Sequence, residues 1–238
     1  MLANYCLVEL LKLRRSLALL LCVSAPIFVV VICMLIGLHD AKPMPLDRYA
    51  MTGAAFWAFA MLPMSVTALS VLMAQMEHGP RTWDHILTMP GARPRLFMAK
   101  ALVMLLLVGS MSAWLYILLL VAARAVALVH PVSGLLNLTT LASTLGRMML
   151  ASVLMCMLQL WVALRFRSFV PPLVLGIVGT FIAVAAASAR QGAYFPWLMP
   201  LHVLSIDPAM QRMALLIGSG GGIIALVAMM ADLDRREA

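Results

Sequence analysis

Six long runs without a charged residue are the feature that most constrains this sequence. Each has at least about 17 residues, enough for an α-helix to cross the hydrocarbon core of a bilayer at about 1.5 Å per residue. The sequence therefore predicts an all-α integral membrane protein, a single transmembrane domain over residues 1–238. We expect six transmembrane spans, at about 16–38, 49–76, 98–123, 143–164, 168–189 and 212–231.

The composition agrees with this class. Hydrophobic residues make up 64% of the chain, charged residues 11%, and the mean hydropathy is +1.04. A soluble domain of this size needs far more polar surface to cover its core. The first apolar run follows a short basic segment, but at 23 residues (Ser16–Leu38) it is too long for a signal peptide and is expected to remain as a helix.

The basic residues predict the orientation, because the cytoplasmic loops of membrane proteins are enriched in Lys and Arg. One side of the predicted bundle carries 11 of the 17 basic residues, and the other side carries six. The eleven are Lys12, Arg14, Arg15, Arg81, Arg93, Arg95, Lys100, Arg165, Arg167, Arg235 and Arg236. We therefore expect a multi-pass membrane protein with both termini in the cytoplasm. The net charge of +8 then reflects topology and attraction to membrane lipid, and no basic run is dense enough to predict a nucleic-acid partner.

The uncharged runs on which these spans rest are 16–38, 49–76, 101–123, 148–164, 168–189 and 213–231, and they contain no Asp, Glu, Lys, Arg or His. Ion-coupled carriers and intramembrane proteases need such groups at membrane depth, so the sequence argues against both classes. Gln75 and Gln159 are the most polar residues of the runs, and we expect them to form hydrogen bonds between helices. Four cysteines are expected to be buried free thiols, because their spacing matches no metal or redox motif: Cys6, Cys22, Cys33 and Cys156.

The only glycine-rich stretch, Gly218–Gly222, is followed by Ile223 and Ile224 within an apolar run. A phosphate-binding loop would need a Lys and a Ser or Thr at this place. The spacing of Gly218 and Gly222 instead predicts close packing of two helices. No cofactor or metal site is predicted in this chain, and any energy source must be another polypeptide.

The densest polar segment lies between the second and third runs. Residues Pro80–Met89 are predicted to form a short amphipathic helix that ends at Pro90-Gly91. One face would carry Trp83, Ile86 and Leu87; the other would carry Arg81, Asp84, His85 and Thr88. Such a helix could lie on lipid headgroups with Trp83 as its anchor, or it could dock into a groove on a soluble partner, and the pattern fits both modes equally.

Glu77, the segment RTWDHILTMP (81–90), Arg93 and Lys100 together resemble the permease subunits of ABC-2-type transporters. The resemblance is closest to the lantibiotic-immunity and bacitracin-resistance subgroup. It implies that this segment is a coupling helix that docks a cytoplasmic ATPase. The docking residues would be Glu77, Arg81, Thr82, Trp83, Asp84, His85, Ile86, Leu87, Pro90, Arg93 and Lys100.

The resemblance also implies the function and a location in the bacterial cytoplasmic (inner) membrane. This chain would not be an enzyme, since ATP and Mg would be bound by a separate cytoplasmic ABC ATPase subunit. A second permease chain, identical or different, would pair with it, and the complex would expel an amphipathic or peptide antibiotic as a self-immunity or resistance system. The alternatives are an ABC-2 permease for a lipid, haem-biogenesis or polysaccharide substrate, or a membrane scaffold without transport activity.

Two further segments match expectations for this family. Residues Leu2–Arg15 can form an amphipathic elbow helix, with Leu2, Cys6, Leu10 and Leu13 on its apolar face and Asn4, Glu9, Lys12 and Arg15 on its polar face. Residues Tyr194–Leu204 resemble a re-entrant or lipid-facing segment before the last span. An ordinary outer loop with aromatic belt residues explains the latter equally well.

Overall fold

A computed structural model describes residues 2–14, 16–39, 45–78, 93–129 and 134–236. Over these residues the chain is almost entirely helical and contains no strand, so the predicted all-α fold is confirmed. Five helices are long and apolar enough to cross a membrane: Leu17–His39, Leu46–Met76, Pro94–Val129, Leu138–Arg165 and Pro208–Arg235. A further apolar helix, Val170–Ala186, has 17 residues. The predicted fifth span, 168–189, is thus represented by the shortest of these apolar helices.

We name the helices by their order. An N-terminal helix, Leu2–Leu13, precedes span one, Leu17–His39. Span two consists of Leu46–Phe56, a π-helical turn at Trp57–Met61, and Leu62–His78. Span three is Arg93–Val129; span four is Leu138–Ala151 followed by Val153–Arg165; helix five is Val170–Ala186. Span six consists of Pro208–Leu215, a π-helical turn at Leu216–Gly220, and Gly221–Arg236.

Span four begins earlier than the predicted position of about residue 143. The helix starts at Leu138 because Asn137 caps it: the Asn137 side chain accepts a hydrogen bond of 3.1 Å from the backbone N–H of Thr140. Asp47, at the start of span two, in turn accepts a hydrogen bond of 2.7 Å from the N–H of Asn137. The helix therefore contains Arg147, although the uncharged run on which the prediction rested begins only after it.

Spans four and six approach each other closely through glycine. A Cβ added to Gly218 would lie 2.3 Å from the carbonyl oxygen of Ala151, and one added to Gly222 would lie 2.6 Å from a methyl group of Val153. No side chain fits in this space, so the backbones can touch only because these residues are glycine. The predicted packing role of Gly218 and Gly222 is confirmed.

One hydrogen-bonded group joins span two, span four and helix five. The Gln159 side-chain NH₂ donates to Thr67 Oγ1 at 2.7 Å and to the carbonyl of Pro172 at 3.2 Å, and all three groups are buried. Gln159 thus bonds between helices, as predicted. Gln75 does not: its side chain is exposed near the end of span two. The two glutamines differ in the side of the helix on which they lie. Met73 and Ala74 of span two are buried, whereas Gln75 lies on a side of the same helix that faces away from the bundle.

The cysteines are free thiols, as the sequence predicted. Cys22, Cys33 and Cys156 are buried in the apolar core, and Cys6 is partly exposed on the N-terminal helix. They serve as small apolar side chains in the packing of the bundle.

The connection between helix five and span six folds back into the bundle. It forms two short 3₁₀ turns, Arg190–Tyr194 and Pro196–Leu198, and one helical turn, Met199–His202. Trp197, Leu198 and Met199 are buried, and the Trp197 ring packs against Gly179 of helix five. This burial favours the re-entrant interpretation, since an aromatic belt would hold Trp197 at the membrane surface.

Candidate coupling site

The helices alternate in direction, so the bundle has two ends. One end carries the N-terminal helix, residues 79–92, the turn at 166–169 and the end of span six; we call it the 79–92 end. The other carries residues 40–44, 130–137 and 187–207; we call it the 187–207 end. Residues 79–92 therefore connect the end of span two directly to the start of span three.

Most of the predicted docking residues lie outside the described part of the chain. These are Arg81, Thr82, Trp83, Asp84, His85, Ile86, Leu87 and Pro90. Glu77 is in the last turn of span two and Arg93 is the first residue of span three, but only their backbone positions are described. The docking role of these residues stays a prediction.

Lys100 lies within the described residues, and its side chain is inside the bundle and not at its surface. Its side chain is fully buried, and its Nζ lies 2.6 Å from Oε2 of Glu9 on the N-terminal helix. The other carboxylate oxygen of Glu9 accepts from Lys12 Nζ at 2.8 Å. In this structure Lys100 is thus paired with the N-terminal helix, and its predicted docking role stays a prediction.

Glu9 corrects the predicted faces of the N-terminal helix. The sequence predicts Glu9 on the polar face with Asn4 and Lys12, but only 2% of its surface is exposed. Leu13 is buried and Cys6 and Leu10 are partly buried, as an apolar face requires, whereas Leu2 is exposed. Glu9 is buried because the N-terminal helix packs against span three, where Lys100 provides a compensating charge.

Sequence reasoning missed this ion network because its members are far apart in the chain. Glu9 and Lys100 are separated by 91 positions. A usable signal existed: Glu9 is the only acidic residue in an otherwise apolar and basic N-terminal segment, and Lys100 lies seven residues inside span three. A charge inside an apolar helix requires a partner, and Glu9 is one of the acidic residues predicted on the same side.

A second charged pair joins the last turns of spans four and six at the 79–92 end. The Asp232 carboxylate accepts from Trp161 Nε1 at 2.9 Å and also pairs with Arg165 Nη1. The side chains of Asp232 and Arg165 are about one-quarter exposed, 24% and 29% respectively, in contrast to the fully buried Lys100. Two ion pairs therefore join helices at this end of the bundle. Glu9 and Lys100 join the N-terminal helix to span three, and Arg165 and Asp232 join span four to span six.

A groove of about 820 Å³ lies between span one, span two and helix five. Its walls are almost entirely apolar, with Phe28, Met64 and Leu173 among the lining residues. The few polar groups that reach it are hydroxyls, from Ser24, Ser65 and Thr67. The groove can hold an apolar helix or the tail of an amphiphile, and it contains no ionisable group for acid–base chemistry.

Comparison with known proteins bears on this arrangement. The pattern of the ABC-2 family transporter proteins matches residues 6–183, from the N-terminal helix into helix five. No curated protein and no solved structure gives a significant match. The match includes the buried ion network and the connection between spans two and three. Because it spans well over half of the 238 residues, this multi-pass membrane protein belongs to the ABC-2 transporter family.

Proposed function

We propose that this chain is the membrane-spanning subunit of an ATP-driven exporter, with residues 81–89 as the helix through which a cytoplasmic ABC ATPase drives it. In this proposal the 79–92 end faces the cytoplasm. A second permease chain completes the complex in the membrane. The family membership supports the general role, since ABC-2 permeases work with an ABC ATPase and are typically dimeric.

The observation that carries the proposal is the network of Glu9, Lys12 and Lys100. A displacement of the 79–92 connection moves the first turns of span three. Lys100 lies in the second of these turns and is bonded to Glu9 at 2.6 Å, so the N-terminal helix moves with span three. The permease thereby responds to the ATPase as one rigid unit and not through a single loop.

The substrate we propose is an amphipathic molecule, such as a peptide antibiotic, expelled as part of a resistance or immunity system. The apolar groove between span one, span two and helix five supports an amphipathic substrate, because its walls match an acyl or apolar peptide surface. A lipid with an apolar tail fits the same groove. Growth of a deletion strain on a panel of membrane-active antibiotics distinguishes the antibiotic from the lipid substrate. We expect hypersensitivity to at least one peptide antibiotic. Uniform wild-type resistance would contradict the antibiotic role.

Trp83→Ala tests the docking helix. We expect the variant to insert and assemble normally but to lose most of the ATPase that co-purifies with the wild type, because a large aromatic residue in a desolvated pocket commonly contributes about 2 kcal/mol or more to an interface. The measurement is mass-spectrometric quantification of proteins retained by the tagged permease from native membranes.

Tyr194→Ala is the matched control, since Tyr194 is an aromatic residue that is 65% exposed at the opposite end of the bundle. It should retain the ATPase in full. If Trp83→Ala and a triple alanine variant at Trp83, Ile86 and Leu87 both retain the ATPase at wild-type stoichiometry, residues 81–89 are a headgroup anchor and not a docking helix.

The energy source gives a second test. We expect efflux from cells or vesicles to require an active ATPase partner and to be insensitive to collapse of the proton gradient. The physical reason is that the acidic residues within the described spans, Asp47, Glu77, Asp232 and Asp234, all lie near the ends of their helices and not at membrane depth. Efflux that continues with a catalytically dead ATPase but stops with an uncoupler would contradict the proposal.

A further inference from the structure

Arg147 lies deep in span four, where a charged residue is costly. It is nine residues from the start of the span at Leu138, or about 14 Å along the helix. The span of 28 residues is about 42 Å long, so Arg147 is about 7 Å from its midpoint. The hydrocarbon core extends about 15 Å on each side of the midpoint of a bilayer. With the midpoint of span four at the midpoint of the bilayer, the Cα of Arg147 would lie below the headgroups, among the acyl chains.

The Arg147 side chain is exposed on the surface of the bundle. The same face carries Ser143 and Thr140, one and two turns towards the 187–207 end, and Gly146 beside it, all exposed. Side chains of an α-helix lean towards its N-terminus, so the guanidinium is directed towards Ser143 and the 187–207 end. Leu150, one turn in the other direction, is exposed and apolar. The face thus presents the hydroxyl groups of Thr140 and Ser143, then the Arg147 cation, and then the apolar side chain of Leu150 towards the 79–92 end.

In the described part of the chain, no acidic side chain pairs with Arg147. The two described carboxylates at the 187–207 end are used elsewhere. Asp47 accepts from the N–H of Asn137, ten residues from Arg147, and Asp207 accepts from the N–H of Ala209 at the start of span six. Among the described residues, the charge of Arg147 is therefore available to a group from outside the bundle.

A second copy of this chain is a poor partner for this face. In a symmetric dimer the same surface meets itself, so Arg147 would approach the Arg147 of the other copy. No acidic residue lies among the described residues of this face, Thr139 to Leu150, to separate the two charges. Like charges brought together at low dielectric repel each other.

We propose that this face is a binding site for the phosphate headgroup of an anionic membrane phospholipid, in the leaflet at the 187–207 end. The guanidinium of Arg147 pairs with the phosphate through two N–H groups, a geometry that Lys cannot reproduce. The hydroxyls of Ser143 and Thr140 lie on the headgroup side of the cation, and an acyl chain lies along Leu150. The site depends on the membrane position of span four and not on the transported substrate.

Lipid retention measured by native mass spectrometry tests the proposal. The wild-type protein, in mild detergent, is titrated with phosphatidylglycerol and separately with phosphatidylcholine. We expect tighter binding of phosphatidylglycerol, and we expect Arg147→Gln to weaken it about tenfold, the loss of one charge-assisted contact. Arg147→Lys should retain part of the preference.

Arg124→Gln and Arg212→Gln are matched controls, because both residues are exposed and lie closer to the 187–207 end, about 8 Å and 6 Å from their helix ends. They should bind phosphatidylglycerol like the wild type. Arg147 is exposed, so its replacement should leave the unfolding temperature unchanged, which separates lost binding from misfolding. Equal binding of the two lipids by the wild type, or wild-type binding by Arg147→Gln, would overturn the proposal. Disulfide cross-linking of two chains through Ser143→Cys would also overturn it, since the face would then be covered by a second copy.

Discussion

At the scale of single residues, burial decides how much each ion pair of this protein stabilises it. Lys100 and Glu9 are almost fully buried, so loss of either partner leaves a charge that water cannot solvate. Asp232 and Arg165 are about one-quarter exposed, and water compensates much of what their separation would cost. Two pairs at the same end of the bundle should therefore respond very differently to substitution.

Glu9→Leu should destabilise the protein by about 3–5 kcal/mol, because the buried ammonium of Lys100 loses its carboxylate. The double variant Glu9→Leu/Lys100→Met should recover most of this loss, since two apolar side chains replace a buried pair with little net cost. Thermal unfolding in detergent measures both.

Asp232→Asn is the matched control. Its amide oxygen can still accept from Trp161, so only the charge opposite Arg165 is lost, and we expect a change of less than about 1 kcal/mol. If Glu9→Leu unfolds no earlier than Asp232→Asn, or the double variant is no more stable than Glu9→Leu, then the buried pair does not hold the N-terminal helix to span three.

At the scale of elements, the helices meet through residues too small to separate them. Helix five contacts span two and span four at Gly176, opposite the hydrogen-bonded side chains of Thr67 and Gln159. A Cβ at this position would lie 1.9 Å from Thr67 Oγ1 and 2.5 Å from Gln159 Nε2. Neither group can withdraw without breaking a buried hydrogen bond, so the position of helix five depends on the missing side chain of Gly176.

Gly176→Ala should therefore lower the stability by about 1–3 kcal/mol, the usual cost of overpacking a well-packed core. Gly220→Ala is the control. A Cβ there meets no atom within 4 Å, so this variant should be neutral or more stable by up to about 1 kcal/mol through reduced entropy of the unfolded chain. The unfolding temperatures of the two variants measure this difference in stability. Equal values would show that helix five shifts to accommodate the added methyl group.

At the scale of the whole molecule, the charge distribution predicts how the bundle lies in the membrane. The 79–92 end carries the predicted cytoplasmic excess of Lys and Arg, and the 187–207 end carries fewer. Cysteine labelling at one position of each end tests this orientation. Ile206 is fully exposed at the 187–207 end.

In a variant without native cysteines, Ile206→Cys should react with a membrane-impermeant maleimide on intact cells. Asp84→Cys should react only after the membrane is opened, because the positively charged end is retained in the cytoplasm. Labelling of Asp84→Cys on intact cells would reverse the orientation and remove the basis for a cytoplasmic ATPase at residues 81–89.

The sequence by itself determined the class of this protein and the approximate place of its spans. Hydropathy and length are local properties, summed over about 20 neighbouring residues, so they can be read without knowing what each helix contacts. The family likewise followed from a local motif between spans two and three, and the matched family confirms it. The packing role of Gly218 and Gly222 followed from spacing alone.

Only the tertiary structure decided which polar side chains are buried. Gln159 and Gln75 are alike in sequence context, but only Gln159 meets a partner, Thr67, 92 positions away. Lys100 belongs to the predicted docking motif, and only the structure shows that its side chain is buried against Glu9. The fate of a polar group in a membrane protein depends on the group it faces on another helix, and that pairing is set by the rotation and register of whole helices, which no local pattern specifies.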